Sequence, residues 1–212
     1  MCGRYFIDER TWSEVLEDFP QLKSLYMDSA VSADPHPSGN PHVSVNPRPS
    51  GDVFPSMQAR ALTAGRSLAV SSLSWGFPGF DGKKQIINAR AEGIFDKKMF
   101  ADSIRNKRCV FPAAGFYEWD RAKQKVTFTQ SDAPVIYLGG IWRQYGEDSR
   151  FVIITREANE SMSPVHDRMP LMIRPDAVEE WLFDPSRTEH FLTQPLPQLK
   201  AQRGYEQMSL FD

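Results

Sequence analysis

The chain has 212 residues and a mass of 24.2 kDa, and 41% of its residues are hydrophobic, so it can form one domain with a substantial core. Its two cysteines, Cys2 and Cys109, argue against a disulfide framework and a zinc site, and we expect neither a metal nor a cofactor. The net charge of −2, the pI near 6.1 and the lack of a long apolar run predict a soluble, cytoplasmic monomer without a membrane segment.

The first predicted element is a strand over residues 2–7, in which period-2 alternation places Cys2, Arg4 and Phe6 on one face. Removal of the initiator Met1 would give Cys2 an α-amine and a thiol on adjacent carbons. Their reference pKa values are about 8 and about 8.5, so both groups are partly deprotonated near neutrality. Such a pair captures aldehydes as a five-membered thiazolidine. A buried structural cysteine is the alternative interpretation, because free cysteines are usually buried.

The remaining elements indicate an α+β fold with a curled, barrel-like, mainly antiparallel sheet and a few peripheral helices. Asp8 is predicted to cap a helix with an apolar stripe, and the proline-rich residues 34–55 are predicted to be irregular and to frame a groove. The predicted strands cover residues 68–75, 108–112, 116–119, 125–130, 135–142, 150–155 and 169–174, and the predicted helices cover 96–106 and 176–183. We expect a domain over residues 1–192 and a flexible polar tail over 193–212.

Three further segments place polar groups beside apolar residues. Asn88 and Arg90 follow two isoleucines, although a turn asparagine and a surface arginine are the simpler interpretation. Glu118 lies between aromatic residues, and an apolar setting raises a carboxyl pKa toward the range useful for acid–base catalysis. A structural salt bridge is the alternative there. His166 and Arg168 precede an apolar strand, where a lone histidine is most often a packed or surface residue.

Five ordered motifs together resemble those of the SRAP family of SOS-response-associated or abasic-site processing proteins. They are MCGR from residue 1, NARAE from residue 88, RCVFPAAGFYEW from residue 108, TREAN from residue 155 and HDRMP from residue 166. The resemblance covers roughly residues 2–190. Five motifs in one order are far more specific than any one of them.

The resemblance implies a function and a set of site residues. In this family the terminal cysteine forms a thiazolidine with the ring-opened aldehyde of an abasic site in single-stranded DNA. The matching residues are Cys2 as nucleophile, Asn88 holding the amine, Glu118 as proton donor and acceptor, and His166 assisting ring opening and crosslink reversal. The implied DNA-binding residues are Arg4, Trp75, Arg90, Trp119, Thr155 and Arg168. The peptidase activity assigned to the family would be at most removal of Met1.

Two alternative functions come from other protein classes. An MCG start also resembles class II glutamine amidotransferases, in which a terminal cysteine hydrolyses glutamine. Those enzymes use an Asn-Gly dipeptide for the oxyanion hole, and this sequence contains none. A non-catalytic module that binds single-stranded DNA, with Cys2 merely packed, is the second alternative.

The last residues of the chain suggest a partner. Gln207, Leu210 and Phe211 belong to the run QMSLFD, which resembles the short peptide by which bacterial polymerases and repair proteins bind the sliding clamp. Adjacent Leu and Phe in an unfolded tail are unfavourable in water unless a partner pocket accepts them. A chance match to a short degenerate pattern is the alternative.

Overall fold

A computed structural model of the chain describes residues 2–24, 50–79 and 84–203. Its strands in chain order are β1 Tyr5–Ile7, β2 Gly51–Val53, β3 Gln58–Ala64, β4 Leu68–Trp75, β5 Phe77–Pro78, β6 Gln85–Ile86, β7 Asn88–Arg90, β8 Arg108–Ala113, β9 Gly115–Trp119, β10 Lys125–Gln130, β11 Ile136–Tyr145, β12 Asp148–Glu157, β13 Arg168–Pro170, β14 Met172–Ile173 and β15 Leu199–Arg203. The α-helices are α1 Thr11–Asp18, α2 Ala101–Asn106, α3 Val178–Phe183 and α4 Thr188–Thr193, and 3₁₀ turns at Pro175–Ala177 and Pro185–Arg187 precede the last two helices.

Five strands close into a barrel. The ring runs β12–β4–β3–β8–β11, and β11 pairs again with β12. The β4–β12 pair is parallel and the other pairs in the ring are antiparallel. Closure leaves no free edge within the ring, and β7, β13 and β14 extend it from outside.

Alternate side chains of the barrel strands fill the interior. Strand β8 contributes Cys109, Phe111 and Ala113, and the Phe111 ring stacks on that of Phe151 with 3.8 Å between centroids. Space is tight at Gly140, where a Cβ atom would lie 2.8 Å from a backbone oxygen and 3.2 Å from the Phe111 ring. The interior is therefore a packed core, in which burying one such ring contributes about 2 to 3 kcal/mol.

The helices pack outside the barrel, and one buried cation joins two of them. Arg108 is only 4% exposed. Its guanidinium donates to the carbonyl oxygens of Ile104 at 3.0 Å, Arg105 at 2.5 Å, Trp181 at 2.5 Å and Leu182 at 3.1 Å. These oxygens lie in the last turns of α2 and α3, where a helix has unpaired carbonyl groups that favour a cation.

A second sheet packs against the barrel and carries the N-terminal segment. Its order is β15–β10–β9–β1–β2, so β1 lies between β9 and β2. The inward residues Tyr5, Phe116, Val126 and Phe128 share one apolar cluster with the barrel interior, and Cys2 belongs to the same cluster.

The predicted fold class is confirmed: the domain is α+β with a barrel of mainly antiparallel strands. The predicted strands over 68–75 and 125–130 coincide with β4 and β10. The N-cap residue of α1 is Arg10 and not the predicted Asp8, although Asp8 Oδ1 accepts from the Thr11 backbone N–H at 2.9 Å. Within the described residues, no helix is long and apolar enough to cross a membrane.

Three further local predictions are wrong. The helix predicted over residues 96–106 begins only at Ala101. Strand β1 begins at Tyr5, not at Cys2, and the Cys2 side chain is buried in the core instead of sharing a strand face with Arg4 and Phe6. The flexible tail is predicted to begin at residue 193, but residues 199–203 form strand β15, which pairs with β10 over its full length. The predicted clamp-binding residues Gln207, Leu210 and Phe211, like most of the predicted irregular segment 34–55, lie outside the described residues.

Candidate active site

Cys2 is fully buried where the barrel interior meets the second sheet. Its Sγ contacts the Arg4 carbonyl oxygen at 4.0 Å. Burial first, and then the negative charge of Glu118, raises the pKa of the Cys2 thiol to about 12. The thiol is therefore protonated at neutral pH, and its reaction with an electrophile needs a group that accepts its proton.

Asn88 connects strand β7 to Cys2. Its Nδ2 donates to the Cys2 carbonyl oxygen at 3.0 Å, and its Oδ1 is buried without a hydrogen bond to any described residue. Strand β7 is held in place by its parallel pairing with β12, in which Asn88 lies opposite Ile153. One end of the amide thus fixes the Cys2 backbone, and the other end is an unused acceptor.

Glu118 lies on the inward face of β9 and is 4% exposed. Its neighbours Tyr117 and Trp119 point to the opposite face, as strand alternation requires. On β10 the residue opposite Glu118 is the buried Val126. The negative charge of Glu118 is the second-largest cause of the raised Cys2 pKa. The carboxylate charge therefore disfavours the thiolate form of Cys2.

His166 lies just before β13, and its ring orientation is fixed by the backbone. Nδ1 is 2.9 Å from the Arg168 backbone nitrogen and also 2.9 Å from Asp167 Oδ1. One nitrogen cannot accept from the first and donate to the second at once. Because the Asp167 side chain is largely exposed and can turn into water, whereas the Arg168 N–H is held at the start of a strand, we assign Nδ1 as acceptor and the proton of the neutral ring to Nε2.

Arg168 is occupied by other groups of the protein. Its Nη1 and Nη2 donate to Glu92 Oε1 at 2.9 Å and Oε2 at 2.7 Å, and Nη2 also donates to the Thr155 carbonyl oxygen at 2.6 Å. This bonding to the guanidinium holds the pKa of Glu92 below its ordinary value. Sequence reasoning missed the role of Glu92, although the residue closes the NARAE motif.

Arg4 and Trp119 form a surface of mixed charge and aromatic character. The Arg4 guanidinium lies over the Phe54 ring at 4.1 Å and 5.4 Å from the Trp119 centroid, and it pairs with Asp52 at 3.4 Å. Trp119 is 39% exposed. A guanidinium beside an exposed indole can bind a phosphate and stack on a base. The sequence motifs gave no sign of the contacts with Asp52 and Phe54.

The other predicted DNA-binding residues differ in accessibility. Arg90 is exposed and lies two residues from Asn88 on β7, so alternation puts both on one side of the strand. Trp75 is fully buried in the barrel, where its Nε1 donates to the Ile87 carbonyl oxygen at 2.9 Å and its ring lies 5.6 Å from that of Phe151. Its indole has no face accessible to a base. Thr155 is also fully buried.

Comparisons with known proteins identify the family. The family model described as SOS response associated peptidase (SRAP) matches residues 1–208. The abasic site processing protein YedK of Escherichia coli (strain K12) is 27% identical over an alignment of 191 residues that covers 86% of this chain and 79% of YedK. The abasic site processing protein YoqW of Bacillus subtilis (strain 168) is 28% identical over 213 residues, covering 93% of this chain and 87% of YoqW.

Solved structures share the fold. A crystal structure of a Bordetella bronchiseptica protein has a TM-score of 0.71 at 20% identity, with 96% of this chain and 99% of that chain covered. The crystal structure of a phage-related protein of the same organism has a TM-score of 0.69 at 22% identity, with 97% of this chain and 95% of that chain covered. With a family model that matches almost the whole length, the chain belongs to the SRAP family.

Proposed function

We propose that this protein captures abasic sites in single-stranded DNA as a covalent thiazolidine on Cys2, after Met1 has been removed. The names of the relatives support abasic DNA as the substrate. The observation that carries the proposal is the bonding of Asn88: Nδ2 binds the Cys2 carbonyl oxygen, and the buried Oδ1 has no donor among the described residues. An α-amine on Cys2 is a donor of the kind that this acceptor lacks.

The first bond forms between the Cys2 α-nitrogen and the aldehyde carbon of the opened sugar. The amine adds to the carbonyl, and loss of one water molecule gives an imine. Only a neutral amine is nucleophilic, and a neutral amide oxygen such as Asn88 Oδ1 orients it without favouring the ammonium form as a carboxylate would. An acylated nitrogen cannot form this imine, so the reaction requires removal of Met1.

The second bond closes the ring. The Cys2 sulfur attacks the imine carbon, the C=N electron pair moves to nitrogen, and nitrogen gains a proton. Because the thiol is protonated at neutral pH, its proton has to leave as the S–C bond forms. Glu118 accepts this proton and returns one to the nitrogen, so the carboxylate ends in its initial state.

His166 would act before and after capture. The aldehyde exists only while the abasic sugar is open, and opening requires that the ring oxygen gains a proton while the anomeric hydroxyl loses one. The Nε2–H of His166 can donate a hydrogen bond to the ring oxygen and stabilise the negative charge that develops there as the C–O bond breaks, while water carries the proton from the hydroxyl to that oxygen. The same hydrogen bond assists the reverse reaction. The exposed Arg90 and the pair of Arg4 and Trp119 would bind the flanking phosphates and bases.

The test is intact-mass spectrometry of the protein after incubation with a single-stranded oligonucleotide that contains one abasic site. We expect an adduct whose mass is the sum of both molecules minus one water. Cys2→Ala and a form that retains Met1 should give no stable adduct, whereas Cys109→Ala, which changes the other buried cysteine, should react normally. DNA binding without an adduct would favour a non-catalytic module, and adduct formation by Cys2→Ala would overturn the thiazolidine mechanism.

A sliding clamp is the second proposed partner, through residues 207–212. Because a short peptide loses conformational entropy when it docks, we expect only micromolar affinity. The test is a titration of the purified clamp with a peptide of residues 200–212 and with its Leu210→Ala, Phe211→Ala variant. Weaker binding of the variant is expected, and equal or absent binding of both would leave the tail without this function.

A further inference from the structure

Glu92 has no part in the chemistry proposed above, yet it makes the most complete ion pair near the site. Both of its carboxylate oxygens bind Arg168, at 2.9 and 2.7 Å. We infer that Glu92 is a positioning residue of the capture reaction, which holds Arg168 and, through the Arg168 backbone, the ring of His166. This inference rests on the proposed function.

The Arg168 side chain is held in place by hydrogen bonds to Glu92 and Thr155. It is 12% exposed, compared with 58% for Glu92. Its Nη2 is shared between Glu92 and the Thr155 carbonyl oxygen, and its Nε is buried without a partner among the described residues. Two parallel hydrogen bonds fix the plane of a guanidinium as well as its position. Little donor capacity therefore remains for a phosphate unless Glu92 is displaced.

The backbone of Arg168 transmits this position to His166. Its N–H donates to His166 Nδ1 at 2.9 Å, which sets both the plane of the imidazole and the nitrogen that carries the proton. The same segment is tied to β12, where Arg168 lies opposite Glu157. A shift of the Arg168 backbone would thus change which ring nitrogen can donate to substrate.

The ion pair also joins two segments that carry site residues. Glu92 lies four residues after Asn88, which bonds to Cys2, and Arg168 lies two residues after His166. Strands β7 and β13 both pair with β12, so the ion pair connects the segment after β7 with strand β13. Loss of the pair would loosen the relation between Asn88 and His166 while both strands keep their own hydrogen bonds.

The charge of Glu92 makes the inference testable. A half-exposed carboxylate two residues from Arg90 repels DNA phosphates, so for affinity alone its presence is unfavourable. If Glu92 has a positioning role, removal of its charge should change DNA affinity and the crosslinking rate in opposite directions. Binding of undamaged DNA should become tighter, and crosslinking should become slower.

The experiment compares Glu92→Gln with Glu189→Gln in the full chain. Glu189 lines the same surface cleft as Glu92, and its carboxylate forms no ion pair with any other described residue. For Glu92→Gln we expect the crosslinking rate at saturating abasic single-stranded DNA to fall about tenfold, because small misplacements of reacting groups slow reactions strongly. The Kd for undamaged single-stranded DNA should fall by up to about fivefold, as for an exposed charge pair. Glu189→Gln should keep the wild-type rate.

A double variant separates positioning from general loosening. If Glu92 acts through Arg168, the variant Glu92→Gln, Arg168→Gln should react no more slowly than Arg168→Gln alone. Glu92→Asp keeps the charge but shortens the side chain, and its rate should lie between those of wild type and Glu92→Gln. Thermal unfolding of each variant is measured beside the rates.

Three outcomes would overturn the inference: a wild-type rate for Glu92→Gln, an equal slowing of Glu189→Gln, or additive slowing in the double variant. Failure of the proposed function itself would look different. In that case the wild-type protein would give no adduct with abasic DNA at all.

Discussion

Buried polar groups differ in their hydrogen bonding between two regions of the molecule, the base of the outer helices and the segments around Cys2. Under the outer helices, Arg108 donates to four carbonyl oxygens, so each of its three guanidinium nitrogens has a hydrogen-bond partner. In the segments around Cys2, several buried polar atoms have no hydrogen-bond partner among the described residues. They are Arg4 Nε, Asn88 Oδ1, Thr155 Oγ1 and Arg168 Nε.

The contrast separates structural from functional polarity. An unpaired buried polar atom costs about 1 to 3 kcal/mol, so a fold keeps few of them without another reason. The Ser103 and Thr188 hydroxyls on the helices are also unpaired. Every guanidinium nitrogen of Arg108, in contrast, has a hydrogen-bond partner. In the function proposed above, the missing partner of the unpaired Asn88 oxygen is the α-amine that removal of Met1 would free on Cys2.

The largest expected effect tests the structural side of this contrast. Arg108→Met removes the donors to four buried carbonyl groups while it keeps an apolar side chain of similar length. We expect the free energy of unfolding, measured by urea denaturation, to fall by about 4 kcal/mol. The crosslinking rate of the folded protein should not change.

Arg105→Met is the matched control for this prediction. Arg105 lies on α2 as well, but it is exposed, and its Nη1 donates to the Ala101 carbonyl oxygen of its own helix at 2.7 Å. Its loss should lower the free energy of unfolding by less than about 1 kcal/mol. Equal destabilisation by both substitutions would mean that burial of the Arg108 charge contributes nothing specific.

The next effect concerns the acid and base at Cys2. Glu118→Gln keeps the shape of the side chain but removes its titratable proton, so adduct formation should slow about 100-fold. Rates are measured by denaturing gel between pH 5 and 8. His166→Ala should chiefly change ring opening and crosslink reversal. If Glu118→Gln reacts at the wild-type rate over this pH range, Glu118 is structural.

A smaller effect is expected at the unused acceptor. Asn88→Ala removes one hydrogen bond to Cys2 and the free Oδ1, so we expect crosslinking to slow about tenfold and the free energy of unfolding to fall by only about 1 kcal/mol. Reactions quenched at successive times give the crosslinking rate, and urea denaturation gives the free energy of unfolding. A loss of stability as large as that of Arg108→Met would place Asn88 on the structural side instead.

The sequence was informative where residue type and period agree. Residues 125–130 alternate as half-buried strands do, and residues 68–75 alternate in two halves of opposite phase. Both segments match observed strands. Strand β3 was not predicted, because its inward positions are the small residues Ala59 and Ala61, which the packed interior requires but which have low strand propensity. Strand β15 has one buried residue, Leu199, so it has no apolar alternation to detect.

The site shows the same division. Motif order predicts the candidate residues Cys2, Asn88, Glu118 and His166, but the positions of single side chains depend on tertiary packing. Trp75 ends a strand and could equally have faced water. Only closure of the barrel, with Phe151 packed against it, shows that the indole is in the core. Likewise, no sequence pattern distinguishes an arginine that is free to bind phosphate from one that is already paired.

That distinction between free and paired arginines gives the smallest predicted effect. Arg90 is exposed and on the Asn88 side of β7, whereas Arg168 is held by Glu92. A cation that neutralises one phosphate releases a counterion, so Arg90→Ala should lower the slope of log affinity against log salt by about 0.7 on single-stranded DNA. Arg66→Ala, in the exposed turn between β3 and β4, should leave the slope unchanged.

The measurement is fluorescence anisotropy of an undamaged oligonucleotide over a series of salt concentrations. Because a protein with net charge −2 has no general attraction for DNA, any slope must come from a few such local cations. An unchanged slope and affinity for Arg90→Ala would therefore move the DNA path away from β7.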